Sequence, residues 1–235
     1  MGAAALLGPR STPANWSGLY FGGHLGCNIS DTDWTLRNST VFGNAGGRTS
    51  FDNGGLIAGG QIGYNFQFGK WVLGLEASLS GGNLADQKVN ALNPNPALNS
   101  TKLTSDMRWL FQVTPRLGYA FAPQWHGYIK GGFASAEMDS ALFVANGVTS
   151  STTGVNGRHN GWTVGAGLEY MLAQNLILGV DYSFISLDAV TRSTFCNAPC
   201  GVAPILTVDP GNIHMITGRI SFKLGDEPAR AAPLK

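Results

Sequence analysis

Leu56-Ile57-Ala58-Gly59-Gly60-Gln61-Ile62-Gly63-Tyr64-Asn65-Phe66-Gln67-Phe68 is the stretch whose reading decides the fold. Leu56, Ala58, Ile62, Tyr64, Phe66 and Phe68 fall on one side of an extended chain; Gly59, Gln61, Gly63, Asn65 and Gln67 fall on the other. A period of two is the mark of a strand with two unlike faces. After Gly69-Lys70 the chain resumes at Trp71, which is room for little more than a two-residue hairpin turn.

The same pattern recurs outward from this stretch. Eight segments show it, at about 17–29, 54–68, 71–81, 106–121, 125–136, 161–172, 176–187 and 213–224. The fourth gathers Trp109, Phe111, Val113, Leu117, Tyr119 and Phe121 opposite Arg108, Gln112, Thr114 and Arg116. The sixth sets Trp162, Val164, Ala166, Leu168, Tyr170 and Leu172 against Thr163, Gly165, Gly167 and Glu169. The eighth sets Ile216, Ile220, Phe222 and Leu224 against Thr217, Arg219, Ser221 and Lys223. Three connections are tight, at Gly69-Lys70, Ala122-Pro123-Gln124 and Ala173-Gln174-Asn175. The other four, about 30–53, 82–105, 137–160 and 188–212, are long, rich in Asn, Ser, Thr, Gly and Asp, and are read as solvated loops.

Composition limits what such a chain can be. Only 12% of its 235 residues are charged, about half the share of a soluble domain, while glycine reaches 33 residues. A net charge of +1 points to no nucleic acid. No apolar run reaches the length of a membrane helix, but a membrane strand needs only about 9–11 residues, half of them apolar.

Volume decides which face points out. An eight-stranded barrel has a lumen just wide enough for side chains to fill. Four or five large apolar groups per strand would overfill it, whereas glycines suit a crowded interior, so the aromatic face is expected to meet lipid. Tyr64, Phe66, Phe68, Trp71, Tyr119, Phe121, Trp125, Tyr170 and Phe222 cluster near the short-turn ends as one interfacial girdle, with Trp109, Trp162 and Phe184 candidates for the other. The expected fold is all-β: an eight-stranded, up-and-down, antiparallel transmembrane β-barrel, with short periplasmic turns and long extracellular loops.

Asn15-Trp16-Ser17-Gly18-Leu19-Tyr20-Phe21-Gly22-Gly23 resembles the first strand of the small outer-membrane β-barrel proteins of Gram-negative bacteria, the porin family of the OmpA-like membrane-domain superfamily. Arg116-Leu117-Gly118-Tyr119-Ala120-Phe121, Gly161 through Tyr170 and Asn175 through Tyr182 are similar to its fourth, sixth and seventh strands. The resemblance spans about 16–224 and implies residence in the cell outer membrane. It divides the chain into an N-terminal remnant or linker (1–15), the barrel (16–224) and a C-terminal tail (225–235). Met1 to Gly8 is too short in apolar residues, and lacks the basic residues, for a complete signal peptide, so the start is read as truncated or processed. Two features depart from the family. Phe222 is followed by Lys223-Leu224 and a tail rather than ending the chain, with Gly218 one place out of the usual spacing. Pro115 lies inside the fourth strand, where a bulge or a broken rung is expected.

Within the eight segments the glycine-bearing face carries Glu76, Arg108, Arg116, Lys130, Glu169, Asp181, Arg219 and Lys223. Three acids and five bases in a narrow lumen read first as a structural plug of ion pairs. The excess of positive charge leaves open a narrow, mildly anion-preferring pore for small solutes. A lipid-modifying enzyme needs a nucleophile beside a base. His24, His126, His159 and His214 have no Ser or Asp at a spacing that suggests a pair, and no catalytic, cofactor or metal site is assigned. Cys196 and Cys200, flanking Pro199 in an exterior loop, are read as a disulfide, and Cys27 as a small lipid-facing group. The expected partners are outer-membrane lipid and lipopolysaccharide, and external macromolecules met through the loops. Trp34, Phe42, Phe51, Phe143 and Phe195 are the candidate contacts there.

Overall fold

The computed structural model describes residues 14–38, 48–82, 86–89, 100–145, 150–193, 205–209 and 211–224. Among these are eleven strands: β1 (Gly18–Asn38), β2 (Arg48–Phe68), β3 (Trp71–Gly82), β4 (Asp86–Val89), β5 (Ser100–Ala122), β6 (Trp125–Ala145), β7 (Ser150–Ala173), β8 (Leu176–Leu187), β9 (Val190–Ser193), β10 (Ile205–Asp209) and β11 (Asn212–Leu224). Eight of them form the wall in the order β1-β2-β3-β5-β6-β7-β8-β11. β11 then pairs antiparallel with β1, from Leu19↔Leu224 to Ser30↔Ile213, and this last ladder closes the sheet into a barrel without edges. β4 extends the wall beside β5, and β9 and β10 extend it beside β1.

The tight connections are Gly69-Lys70, Pro123-Gln124 and Gln174-Asn175, all at one end. Gly69 takes φ 62°, which a residue with a β-carbon adopts only at a cost. At the other end the expected loops are in large part wall. β1 and β2 stay paired to Thr35↔Arg48, and β6 and β7 to Ala145↔Ser150. Their Ser- and Thr-rich composition reads as loop, but Thr and Val favour extended backbone, and the ladder continues once the neighbouring strand is in place. Strands of 21–24 residues are about twice what crosses the hydrocarbon core, so their upper halves stand outside it.

The faces divide as the volume argument requires. β11 alternates exposed and buried at every position from Asn212 to Leu224. Leu25, Leu56, Ile62, Phe66, Leu75, Ile129, Leu168, Val180 and Ile216 are exposed apolar groups, whereas Gln61, Glu76, Gln112, Arg116, Lys130, Glu169, Asp181 and Arg219 are buried. The lower girdle is exposed, apart from Tyr170, which is half-buried against Trp125. Trp162, Phe184 and His214 make a series of ring contacts higher up the outer face, the first tilted and the second edge-on. Cys27 is exposed and unbridged.

β5 departs from a regular ladder at Arg108 and at Pro115. The ladder to β6 shifts register between Met107↔Met138 and Trp109↔Glu137, so Arg108 is the extra residue of a bulge. The bulge turns Arg108 outward, where it is 60% exposed and pairs with Asp139 at 3.2 Å. The expectation that Arg108 lines the lumen is corrected by this one-residue phase change. At Pro115 the rungs to β6 lapse between Val113↔Phe133 and Arg116↔Lys130 without a change of register, while Pro115 still pairs with Leu75 of β3. That is a broken rung, as a missing N–H requires.

Candidate functional site within the barrel lumen

Side chains occupy the lumen in strata that follow one another from the short-turn mouth upward. At the mouth, the chain before β1 crosses from its own strand to the β5–β6 turn on the opposite wall, where Ala14 N–H donates to Pro123 O at 2.7 Å. Trp16 N–H donates to Gln67 Oε1, and Lys223 Nζ donates to Asn15 O, both at 2.7 Å. Trp16, fully buried, sits on the His126 ring (centroids 4.8 Å apart) among Val72, Met171 and Ile177.

Next comes the charged stratum. Arg116 donates to Glu76 (3.0 Å), to Glu169 (2.6 Å) and to the Tyr20 hydroxyl (2.5 Å). Tyr20 in turn donates to Glu76 (2.7 Å). Arg219 donates to Glu76 and to the Tyr128 hydroxyl (2.9 Å), and lies 3.7 Å from Asp181 and 3.9 Å from Glu169. Asp181 accepts from Lys130 and Tyr128, each at 2.6 Å, and from Ser183. The Arg116 guanidinium also lies 3.6 Å from the centre of the Tyr128 ring. Three carboxylates (Glu76, Glu169, Asp181) thus meet three cations (Arg116, Lys130, Arg219), and the stratum is neutral. The positive excess read from sequence is corrected: Arg108 lies outside, and Lys223, though buried, reaches the strap at the mouth.

Above the charges His24 contacts Gln61 Oε1 through Nδ1 and Ser80 Oγ through Nε2, each at 2.8 Å. The fold therefore supplies a His–Ser pair that spacing along the chain did not. Higher still, Ile57, Leu110, Met138, Ile185, Leu187, Ile213 and Met215 form an apolar cluster inside the lumen.

Sequence reasoning found Glu76, Arg116, Lys130, Glu169, Asp181, Arg219 and Lys223 on the inner face but missed Trp16, Tyr20, Tyr128 and His126. The signal for Tyr128 was its phase, two residues from Lys130; for Tyr20 it was a place between outward Leu19 and Phe21. Cys196 and Cys200 lie outside the described residues. Among the described residues no group of three His, Cys, Asp or Glu is placed to hold a metal.

Two glycines shape the charged stratum. A β-carbon on Gly167 would run into the Tyr128 phenol, and one on Gly63 into that of Tyr20. Gly167→Val is expected to push Tyr128 off Asp181 and lower stability by about 1–3 kcal/mol, as overpacking does. Thermal unfolding in detergent checks it, and an unchanged midpoint would remove the packing role given to this glycine.

A closed wall with an apolar exterior, an aromatic girdle and a polar interior defines an integral β-barrel protein of the outer membrane. Sequence comparison narrows this class. The chain belongs to the outer membrane protein β-barrel domain family, whose pattern matches residues 2–196. It is 29% identical over 135 residues to the 31 kDa outer-membrane immunogenic proteins of Brucella melitensis and Brucella suis. The alignment covers 57% of this chain and 55% of theirs, so the chain spans about half the length of these relatives. Among solved structures it is similar in fold to the outer membrane protein OprG from Pseudomonas aeruginosa, with a TM-score of 0.57 and 12% identity, covering 92% of this chain and 100% of that one.

Proposed function

We propose that the protein is a non-conducting and non-catalytic surface barrel, whose plugged lumen serves to hold a rigid wall and whose upper strands meet the exterior. The observation that carries this reading is the neutral three-on-three charge network, buried across the bore between the Trp16 layer and the upper apolar cluster. An ion entering it would have to break pairs shielded from water, which is costly. The His24–Ser80 pair supports no hydrolysis. Ser80 is fully buried, and the far nitrogen of His24 faces a carboxamide rather than a carboxylate.

The exterior role rests on the long walls above the membrane, since function on such scaffolds lives in what the barrel presents. The name of the Brucella relatives, immunogenic outer-membrane proteins, accords with it. Lipopolysaccharide and external macromolecules are the proposed partners. Of the aromatic contacts expected from sequence, Trp34, Phe51 and Phe143 lie on β1, β2 and β6, while Phe42 and Phe195 lie outside the described residues.

Purified protein in planar bilayers is expected to stay at background conductance. Protease treatment of intact cells is expected to nick the exterior end of the barrel, within 30–53 or 137–160, and leave the barrel folded. Ion-selective channels that vanish on Arg116→Gln would overturn the plug and establish the pore.

A further inference from the structure

We propose that a recess in the lower half of the lipid-facing wall binds one acyl chain of an anionic phospholipid from the periplasmic leaflet. The belt is built of large apolar side chains, but at Gly127 on β6 and Ala166 on β7 it falls back almost to the backbone. Gly127 stands opposite Tyr119 and Leu168, and Ala166 opposite Ile129 and Tyr182, so the two hollows adjoin on the diagonal. Together they form a recess of about 710 Å³ with an almost wholly apolar lining, bounded below by Trp71.

The end nearest the short turns carries the charge. Lys70, exposed in the β2–β3 turn, holds its ammonium 6.0 Å from the centre of the Tyr119 ring, which itself meets Trp71 edge-on at 5.2 Å. This places a cation at the interface beside the mouth of an apolar recess. That arrangement suits a lipid phosphate at the interface with its chain running up into the recess. Covering by a second copy is disfavoured by the same charge. Two barrels share one orientation in the membrane, so a twofold contact across the recess would bring both Lys70 ammonium groups to one height and close together.

The test uses the full chain in detergent, incubated with phosphatidylglycerol or phosphatidylethanolamine of matched chains and read by native mass spectrometry. One retained phosphatidylglycerol per barrel is expected. Lys70→Gln should lower the preference for phosphatidylglycerol roughly fivefold, the effect of one basic residue near an anionic surface. Gly127→Leu should fill the recess and remove the retained lipid whatever its headgroup. Ala166→Leu, on the neighbouring strand, should do the same, and an unaltered melting transition shows that either variant has folded. The proposal is overturned if folded Gly127→Leu and Ala166→Leu retain as much lipid as the parent. It is equally overturned if the parent retains both headgroups alike, or if the adduct lost is a second copy of the chain.

Discussion

Glu76→Gln is expected to destabilise the folded barrel by about 3–5 kcal/mol, the cost of stranding buried charge. Glu76 Oε2 is the common acceptor of Arg116, Arg219 and Tyr20, and water has almost no access to it. With a carboxamide there, three cations face the two remaining acids, Glu169 and Asp181. The measurement is the thermal unfolding midpoint in detergent, or the temperature at which the folded band is lost on a gel. The informative comparison is Glu76→Gln/Arg219→Gln. That pair of changes leaves Arg116 with Glu169 and Lys130 with Asp181, two intact pairs at 2.6 Å. It should recover much of the loss, because neighbouring groups in one network do not contribute additively. A single variant that melts with the parent would sink the plug. A double variant as unstable as the single would show that Glu76 acts by packing rather than by charge.

The second large effect is expected at the mouth. Trp16→Ala removes the largest side chain of the lower layer, and a buried Trp→Ala change costs about 3–5 kcal/mol. The void opens towards the periplasm, where water can enter it, so the lower end of that range is expected. Exposure of what Trp16 covers gives a sharper readout. Met171 is 2% exposed beneath the strap. With Cys27, Cys196 and Cys200 replaced by Ser, Met171→Cys should resist a membrane-impermeant thiol reagent, and should react once Trp16→Ala is added. Conductance should nevertheless stay at background, because the charged stratum lies above. Labelling of Met171→Cys with Trp16 in place would show that the strap does not seal the mouth.

Much of this molecule is legible residue by residue. Phe66 and Gln67 lie on opposite faces because successive side chains of a strand point opposite ways, and that geometry needs no partner strand. The outward choice for Phe66 followed from the volume an eight-stranded lumen can hold. The tight turns were visible because Gly69-Lys70 leaves no room for anything longer. Errors arose where a local rule depends on a neighbour. Arg108 kept its phase in sequence but lost it to a bulge that exists only against β6. Residues 30–38 and 48–53 read as loop because their polar composition is the same whether water or a paired strand satisfies the backbone. Tyr128 shares the inward phase of Lys130, but what its hydroxyl meets there, Asp181 and Arg219, comes from two other strands.

The sequence by itself determined the strand period, the outward apolar face, the girdle and the set of inner-face charges other than Arg108, because each depends on alternation within one strand. Only the tertiary structure decided which charges meet. Glu76 and Arg219 are 143 positions apart, and they pair because β11 closes on β1 at a register that brings both to one height in the lumen. That register is a property of the whole ring. Shifting any one ladder would move every stratum relative to the next. The strap across the mouth and the meeting of Glu76 with Arg219 therefore follow from closure, while the outward turn of Arg108 and the hollow beside Gly127 follow from the ladders of β6 with its neighbours, and no single strand encodes either.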